Sequence, residues 1–467
     1  MPVLAAHLGV RGPEIVAAEV RREGEAWRAT AWADLSRTAL DPGRYEVRVQ
    51  ATSTAEDDAV QVPTCAGRTR IRVDGKAVAV ADAGPVVARL SAAPGPHAIV
   101  IAVTVSGYER RIACGAAPRV GPVETSVEGL GVLSFDSPYA SRGGGRALVY
   151  VPPGRDLRSS GALLVGLHPW NGSIWTYAAY EELLGEARAR GVLLLMPSGL
   201  GNSLYTEDAE DEVFRAIDAL AAATGHAVAH EFVRMRTNFD AARENAGESG
   251  ELPGAADGGA AWNVSLWGAS MGGAGATTIG FHHPDAFATV TSFFGDSRYD
   301  LSTYVRSILP DEASAHRVNA LDVADNARNV PVWLIHGEDD RTSPIRQSEM
   351  LADALDQRGF QVRFDRVPGM GHAGALVARF LPQLVDAAAA ATTVTAPARV
   401  TYRSVRPSDL GAYGVRLERA SATGDAYVDV ERRPDGYHVL RAEGTRSVTF
   451  EPPAPAPTTA PAPARAR

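Results

Sequence analysis

The most constraining stretch of this chain is Val264-Ser265-Leu266-Trp267-Gly268-Ala269-Ser270-Met271-Gly272-Gly273, an apolar run that passes through G-x-S-x-G into a helical pattern. A serine at a strand-to-helix junction sits in a cramped turn, and only neighbours without bulky side chains let the backbone tighten there. Such a turn presents the hydroxyl at a helix N-terminus, where negative charge is favoured. In a chain with 46 glycines the five-residue pattern alone would mean little. The strand before it and the helix after it give it weight.

From about residue 129 apolar strands alternate with longer helical segments, as in a parallel sheet covered on both faces. Strands are expected at 148–151, 162–167, 192–196, 264–267, 288–294, 332–336 and 362–367. Helices are expected at 207–223, 270–281 and 346–358, with an alanine-rich one ending near Ala391. The stretch Gly225 to Asn263 is far longer than a connection needs and rich in Gly, Ala, Glu and Asn. It reads as a surface insertion, partly helical near Phe232, close to the catalytic apparatus without entering it.

At 467 residues the chain exceeds what one core usually organises. Residues 1–128 alternate apolar and polar positions, as in Tyr45-Glu46-Val47-Arg48-Val49, with turn signals such as Asp74-Gly75, and predict a β-sandwich. Alternation returns at 400–405, 414–419, 427–432 and 437–450, which predicts a small β domain over 398–451. The Pro/Ala-rich tail 452–467 is expected to stay extended and disordered.

A serine hydroxyl is a poor nucleophile at neutral pH. It needs an imidazole within hydrogen-bond reach and a carboxylate that fixes the imidazole's tautomer. Both follow downstream. The strand Val332-Trp333-Leu334-Ile335-His336 runs into Gly337-Glu338-Asp339-Asp340-Arg341-Thr342-Ser343-Pro344, and the strand ending at Val367 precedes Pro368-Gly369-Met370-Gly371-His372. Because the carboxyl ends of parallel strands line one crevice, these segments are expected to meet there.

These segments resemble the α/β-hydrolase superfamily, above all its esterase and prolyl-oligopeptidase-like branches, over roughly residues 130 to 391. The resemblance implies a mostly parallel sheet with helices on both faces over 129–391, and Ser270 as nucleophile. It places the acid on Asp340, the last carboxylate of an H-G-x-x-D-x-x-x-P loop, rather than on Asp339 or Glu338. The histidine of G-x-G-H falls on His372. An oxyanion hole would take the N–H of Met271 and one from Gly166-Leu167-His168-Pro169-Trp170-Asn171-Gly172, where proline replaces a family glycine. Pro169 has no N–H, so the second donor is expected from Trp170.

Other histidines read as structural. His226 and His230 have a metal-like spacing but no third ligand, His282 and His283 end a helix, and His336 is expected to pack rather than to take part in chemistry. No cofactor and no metal are expected. The formal charge of −9 offers no broad attraction for nucleic acid, and no apolar run reaches the roughly 18 residues of a membrane span. Cys65 and Cys114 are either one bridge or two buried thiols. The start MPVLAAHLGV lacks a leader pattern, so a cytoplasmic protein is the default and an exported one without its leader the alternative.

The leading expectation is a serine esterase acting through an acyl-enzyme on a small-molecule or polysaccharide-linked ester of a small or aromatic acid. Trp170, Trp175 and Tyr177 are candidates for stacking on such a ring, and the N-terminal region is similar in style to jelly-roll domains of carbohydrate-active enzymes. A prolyl-oligopeptidase-like peptidase and a noncatalytic binding protein on the same scaffold are the alternatives; residues 1–128 are too short for a seven-bladed propeller and show no such repeat.

Overall fold

The computed structural model describes residues 8–451, apart from 55–57, 64, 66–68, 82–85, 91–93, 106–109, 126, 143, 156–160, 179, 225–261, 300–304 and 306–308. Nearly all of the expected insertion, His226 and His230, and the tail 452–467 lie outside the described residues.

The centre is an eight-stranded sheet. Its strands are β1 (Leu130–Ser134), β2 (Arg146–Tyr150), β3 (Gly161–Leu167), β4 (Leu193–Pro197), β5 (Trp262–Ala269), β6 (Thr289–Phe293), β7 (Val332–Gly337) and β8 (Val362–Val367). They lie in the order β1-β2-β4-β3-β5-β6-β7-β8. Contacts from β4 through β8 are parallel, and β2 runs antiparallel to both of its neighbours. The central strands are buried along their whole length, because helices cover both faces.

The helices are α1 (Glu181–Arg190), α2 (Glu207–Thr224), α3 (Met271–His282), the short α4 (Glu312–His316), α5 (Arg346–Gln357) and α6 (Gly374–Ala390). Alternate residues of each strand feed two separate cores. Leu163, Val165 and Leu266 join Phe214, Ile279 and Leu355 on one face. On the other, Leu164, Trp267 and Ile335 join Leu183, Leu381 and Val385. This order of strands and helices is the α/β-hydrolase fold.

The N-terminal region is antiparallel. A six-stranded sheet containing the long pair Gly43–Ser53 and Gly95–Val105 shares one core with a three-stranded sheet around Ala59–Val62. Cys65 and Cys114 are joined as a disulfide, so the bridged alternative is the one observed. The C-terminal region forms two three-stranded sheets. Its last stretch is not one strand: it divides at Gly444 into Gly436–Glu443 and Thr445–Phe450, which belong to different sheets. Gly444 has φ 61°, and a Cβ there would stand 2.0 Å from Asp425 O, so only glycine makes this corner.

Candidate active site

β5 ends at Ala269 and α3 begins at Met271, leaving Ser270 between them at φ 58° and ψ −120°. That conformation is strained for a residue with a side chain and is held only where its surroundings impose it. Here the Ser270 N–H donates to Phe293 O at the end of β6 (2.9 Å) and the Ala274 N–H to Ser270 O (2.9 Å). The motif glycines are required by space. A Cβ on Gly272 would lie 1.8 Å from Leu167 O, and one on Gly268 would lie 2.3 Å from the backbone of Gly272. The same closeness seats the first turn of α3 against the chain leaving β3.

The three separated segments converge at the carboxyl ends of β5, β7 and β8. Ser270 Oγ is 2.8 Å from His372 Nε2, and His372 Nδ1 is 2.7 Å from Asp340 Oδ2. Asp340 is 6% exposed, whereas Glu338 and Asp339 face solvent, so only one of the three neighbouring carboxylates meets the imidazole. Its other oxygen, Oδ1, accepts the N–H groups of Thr342 (2.8 Å) and Ser343 (3.0 Å). Burial works against the charged carboxylate, but hydrogen bonds from His336 and His372, with the Thr342 N–H, outweigh it and hold the group ionised well below the usual carboxylate range.

Met271, the first residue of α3, carries one of the first-turn N–H groups that a helix leaves without an acceptor of its own. Trp170 is half-buried in the turn after β3, closed by the Gly172 N–H on Pro169 O (2.8 Å). Its neighbours are anchored. Buried His168 has Nε2 2.8 Å from Ser198 O and Nδ1 2.9 Å from Pro169 O. The Asn171 N–H donates to Asn202 Oδ1 (2.6 Å), and Asn202 Nδ2 donates to Asn171 Oδ1 (2.8 Å).

Of the three aromatic candidates for stacking, two take the alternative role of packing. Trp175 and Tyr177 are 8% and 0% exposed and belong to the core, because Tyr177 stacks on Trp267 with ring centroids 4.2 Å apart. Tyr177 instead clips two strands together: its hydroxyl donates to Leu167 O (2.7 Å) and accepts the Ala269 N–H (3.0 Å). Only Trp170 of the three stays at the surface. His336 is fully buried, as expected, with Nε2 3.4 Å from Asp340 Oδ2.

A second Ser-His-Asp line, which sequence reasoning missed, lies in the N-terminal sheet. Ser53 Oγ is 3.0 Å from His97 Nε2, and His97 Nδ1 is 2.8 Å from Asp74 Oδ2. Distances alone do not separate it from the first; surroundings do. Ser53 is 2% exposed, lies within an antiparallel strand opposite Gly95, and its Oγ accepts the Gly95 N–H (3.1 Å). Among the described residues it precedes no helix that would aim a first-turn N–H at a developing oxyanion. Ser270 is half-exposed and begins one.

Residues 260–384 match the prolyl oligopeptidase family. A search of curated proteins gives no match. Among solved structures the chain is similar to an S-formylglutathione hydrolase from Agrobacterium tumefaciens, at 16% identity over 57% of this chain and 96% of that one, with TM-score 0.40. It is also similar to the fluorophosphonate-binding serine hydrolase F of Staphylococcus aureus, at 14% identity over 56% and 98%, TM-score 0.43. A puromycin-hydrolyzing peptidase from Mycobacterium tuberculosis is 19% identical over 61% of this chain and 42% of that one, TM-score 0.38. The chain has an α/β-hydrolase fold, and its residues 260–384 carry the match to the prolyl oligopeptidase family.

Proposed function

We propose that the protein is a carboxylic ester hydrolase in which Ser270 is the nucleophile, His372 the general base and Asp340 the acid that orients it. The observation that carries this reading is the continuous line from Ser270 Oγ through both nitrogens of His372 to Asp340 Oδ2, set on a strained strand-to-helix turn. Ser270 Oγ adds to the ester carbonyl as its proton passes to His372 Nε2. The carbonyl oxygen takes the negative charge and receives the N–H groups of Met271 and Trp170. Collapse of this adduct breaks the bond to the leaving alcohol, which takes the proton from His372 and departs, leaving an acyl-enzyme. Water then gives a proton to His372, attacks the acyl carbonyl, and releases the acid as Ser270 recovers its proton. No cofactor enters these steps.

The preferred substrates are esters of small or aromatic acids, free or carried on polysaccharide. Support comes from Trp170, a partly exposed residue at the core's edge that supplies one of the proposed oxyanion donors and carries a ring able to stack on a flat acyl or sugar group. A peptidase is the second reading, favoured by the family that residues 260–384 match. A panel of nitrophenyl acetate, butyrate and palmitate, methyl ferulate, acetylated xylan and a prolyl peptide amide separates the two. The acetate and ferulate esters are expected to be cleaved best. Efficient cleavage of the palmitate or the peptide, with those esters nearly untouched, overturns the assignment.

A further inference from the structure

The loop carrying Asp340 is held by a buried hydrogen-bond network around Ser343. All three polar groups of Ser343 are engaged. Its N–H donates to Asp340 Oδ1 (3.0 Å), its hydroxyl donates to Asp296 Oδ1 (2.5 Å), and its carbonyl lies 2.8 Å from His336 Nε2. A carbonyl only accepts, so Nε2 carries the proton of His336. Nδ1 meets the Ser348 hydroxyl at 2.8 Å, a group that can donate or accept. The same Nε2 stands 3.4 Å from Asp340 Oδ2, the oxygen that His372 uses.

Ser343, His336, Asp296 and Ser348 are each no more than 2% exposed. They come from four places: the acid loop, the end of β7, the chain just beyond β6, and α5. A buried polar network that is fully satisfied is rigid, and a loop tied to β7, to α5 through His336 and to the chain beyond β6 has little freedom to drift. None of these hydrogen bonds reaches Ser270.

We infer that His336 and Asp296 are positioning residues for Asp340, acting through Ser343 to fix the carboxylate that aligns His372. This rests on the proposed roles of Ser270, His372 and Asp340. Loss of either contact leaves the substrate surface unchanged but lets Asp340 move. Misplacement on the order of 1 Å in such a unit lowers turnover by up to about a hundredfold. The effect belongs in kcat, not in KM.

The test measures kcat and KM on nitrophenyl acetate, with melting temperatures, for the wild type and for Ser270→Ala, His336→Phe, His336→Gln, Ser343→Ala, Asp296→Ala and the Ser343→Ala/Asp296→Ala double variant. His336→Phe keeps the ring volume without a hydrogen bond, and kcat is expected to fall at least tenfold with KM within about twofold. His336→Gln, whose amide can donate to Ser343 O and accept from Ser348, should recover most of that loss. Ser343→Ala and Asp296→Ala should each lower kcat several-fold, and the double variant no further than the worse of the two, because they break one contact. Should His336→Phe not fold, the Ser343 and Asp296 series decides alone. An unchanged kcat in the folded single variants, or fully additive losses in the double, overturns the proposal. Full activity in Ser270→Ala would instead overturn the reading on which it rests.

Discussion

The ring of Phe294 lies against the imidazole of His372, centroid to centroid 4.5 Å, with the planes inclined at 59°. Phe294 directly follows β6, is 3% exposed, and adopts φ 42°, a left-handed backbone conformation that bulky residues rarely take. Its N–H donates to Ile335 O (2.8 Å), which locks that turn to β7. The strain therefore sits where an aromatic wall holds one face of the His372 imidazole, the proposed general base.

Phe294→Ala removes the wall and leaves a cavity in a packed core. Unfolding free energy is expected to fall by about 3 kcal/mol or more. Turnover should drop at least tenfold as His372 gains freedom. Chemical denaturation and kcat on a small ester check both; full activity in a destabilised variant would show that the ring only packs.

Arg406 is buried between Glu210 on α2 and Asp409, hydrogen-bonded to Glu210 Oε1 (2.7 Å) and Asp409 Oδ1 (2.9 Å). His282, the last residue of α3, meets the same Asp409 Oδ1 through Nδ1 (2.8 Å). This joins the C-terminal sheets to the hydrolase unit at the end of α3 remote from Ser270. Arg406→Met strands two buried carboxylates and should cost about 3–5 kcal/mol of stability. The fraction that remains folded is expected to keep its kcat.

The same cluster sets an acid limit. Burial opposes ionisation of Glu210, but Arg406 and His283 outweigh it and lower its pKa to about 2 from the ordinary 4.5. Burial and the neighbouring Arg406 lower that of His282 below its usual 6.5, so folding disfavours its protonation. Both groups bind protons more readily in the unfolded chain. Their contribution is complete above pH 6.5 and declines as pH falls, first through His282 and then through Glu210 between pH 4.5 and about 2. Melting temperature is expected to drop steadily from pH 7 to pH 4; a flat profile would contradict the buried charges.

The bridge between Cys65 and Cys114 closes a sequence separation of 49 residues. A loop of that size is expected to stabilise the N-terminal region by about 4 kcal/mol in the chain-entropy view. Cys65→Ala/Cys114→Ala should lower its unfolding temperature and leave ester turnover unchanged. Two free thiols in the native protein, seen by mass after alkylation without reduction, would refute the bridge.

The legible parts were those whose signals are local. The apolar run into Gly268-Ala269-Ser270 places β5 and α3 to within two residues at each end, because strand, glycine turn and helix follow one another directly. Asp340 and His372 were found because each sits just past a strand of a parallel sheet, where topology does the gathering. The strand β1 escaped notice: it is a short, half-exposed edge strand with no clear alternation. His336 was read as packing because its partners Ser343, Ser348 and, through Ser343, Asp296 come together only in the folded chain. For Tyr177 the sequence leaves packing and substrate stacking open for the same reason. Ser53 and His97 lie on two paired antiparallel strands and Asp74 in the turn between two others, and only the folded sheet brings the three together.

The most direct measurement of the central claim is labelling of the native protein with a fluorophosphonate, followed by peptide mapping of the wild type and of Ser270→Ala. One modified serine, Ser270, is expected in the wild type, with no label and essentially no turnover in a variant that still folds. Label on Ser53, or a Ser270→Ala protein that still labels and turns over at the wild-type rate, would contradict the assignment.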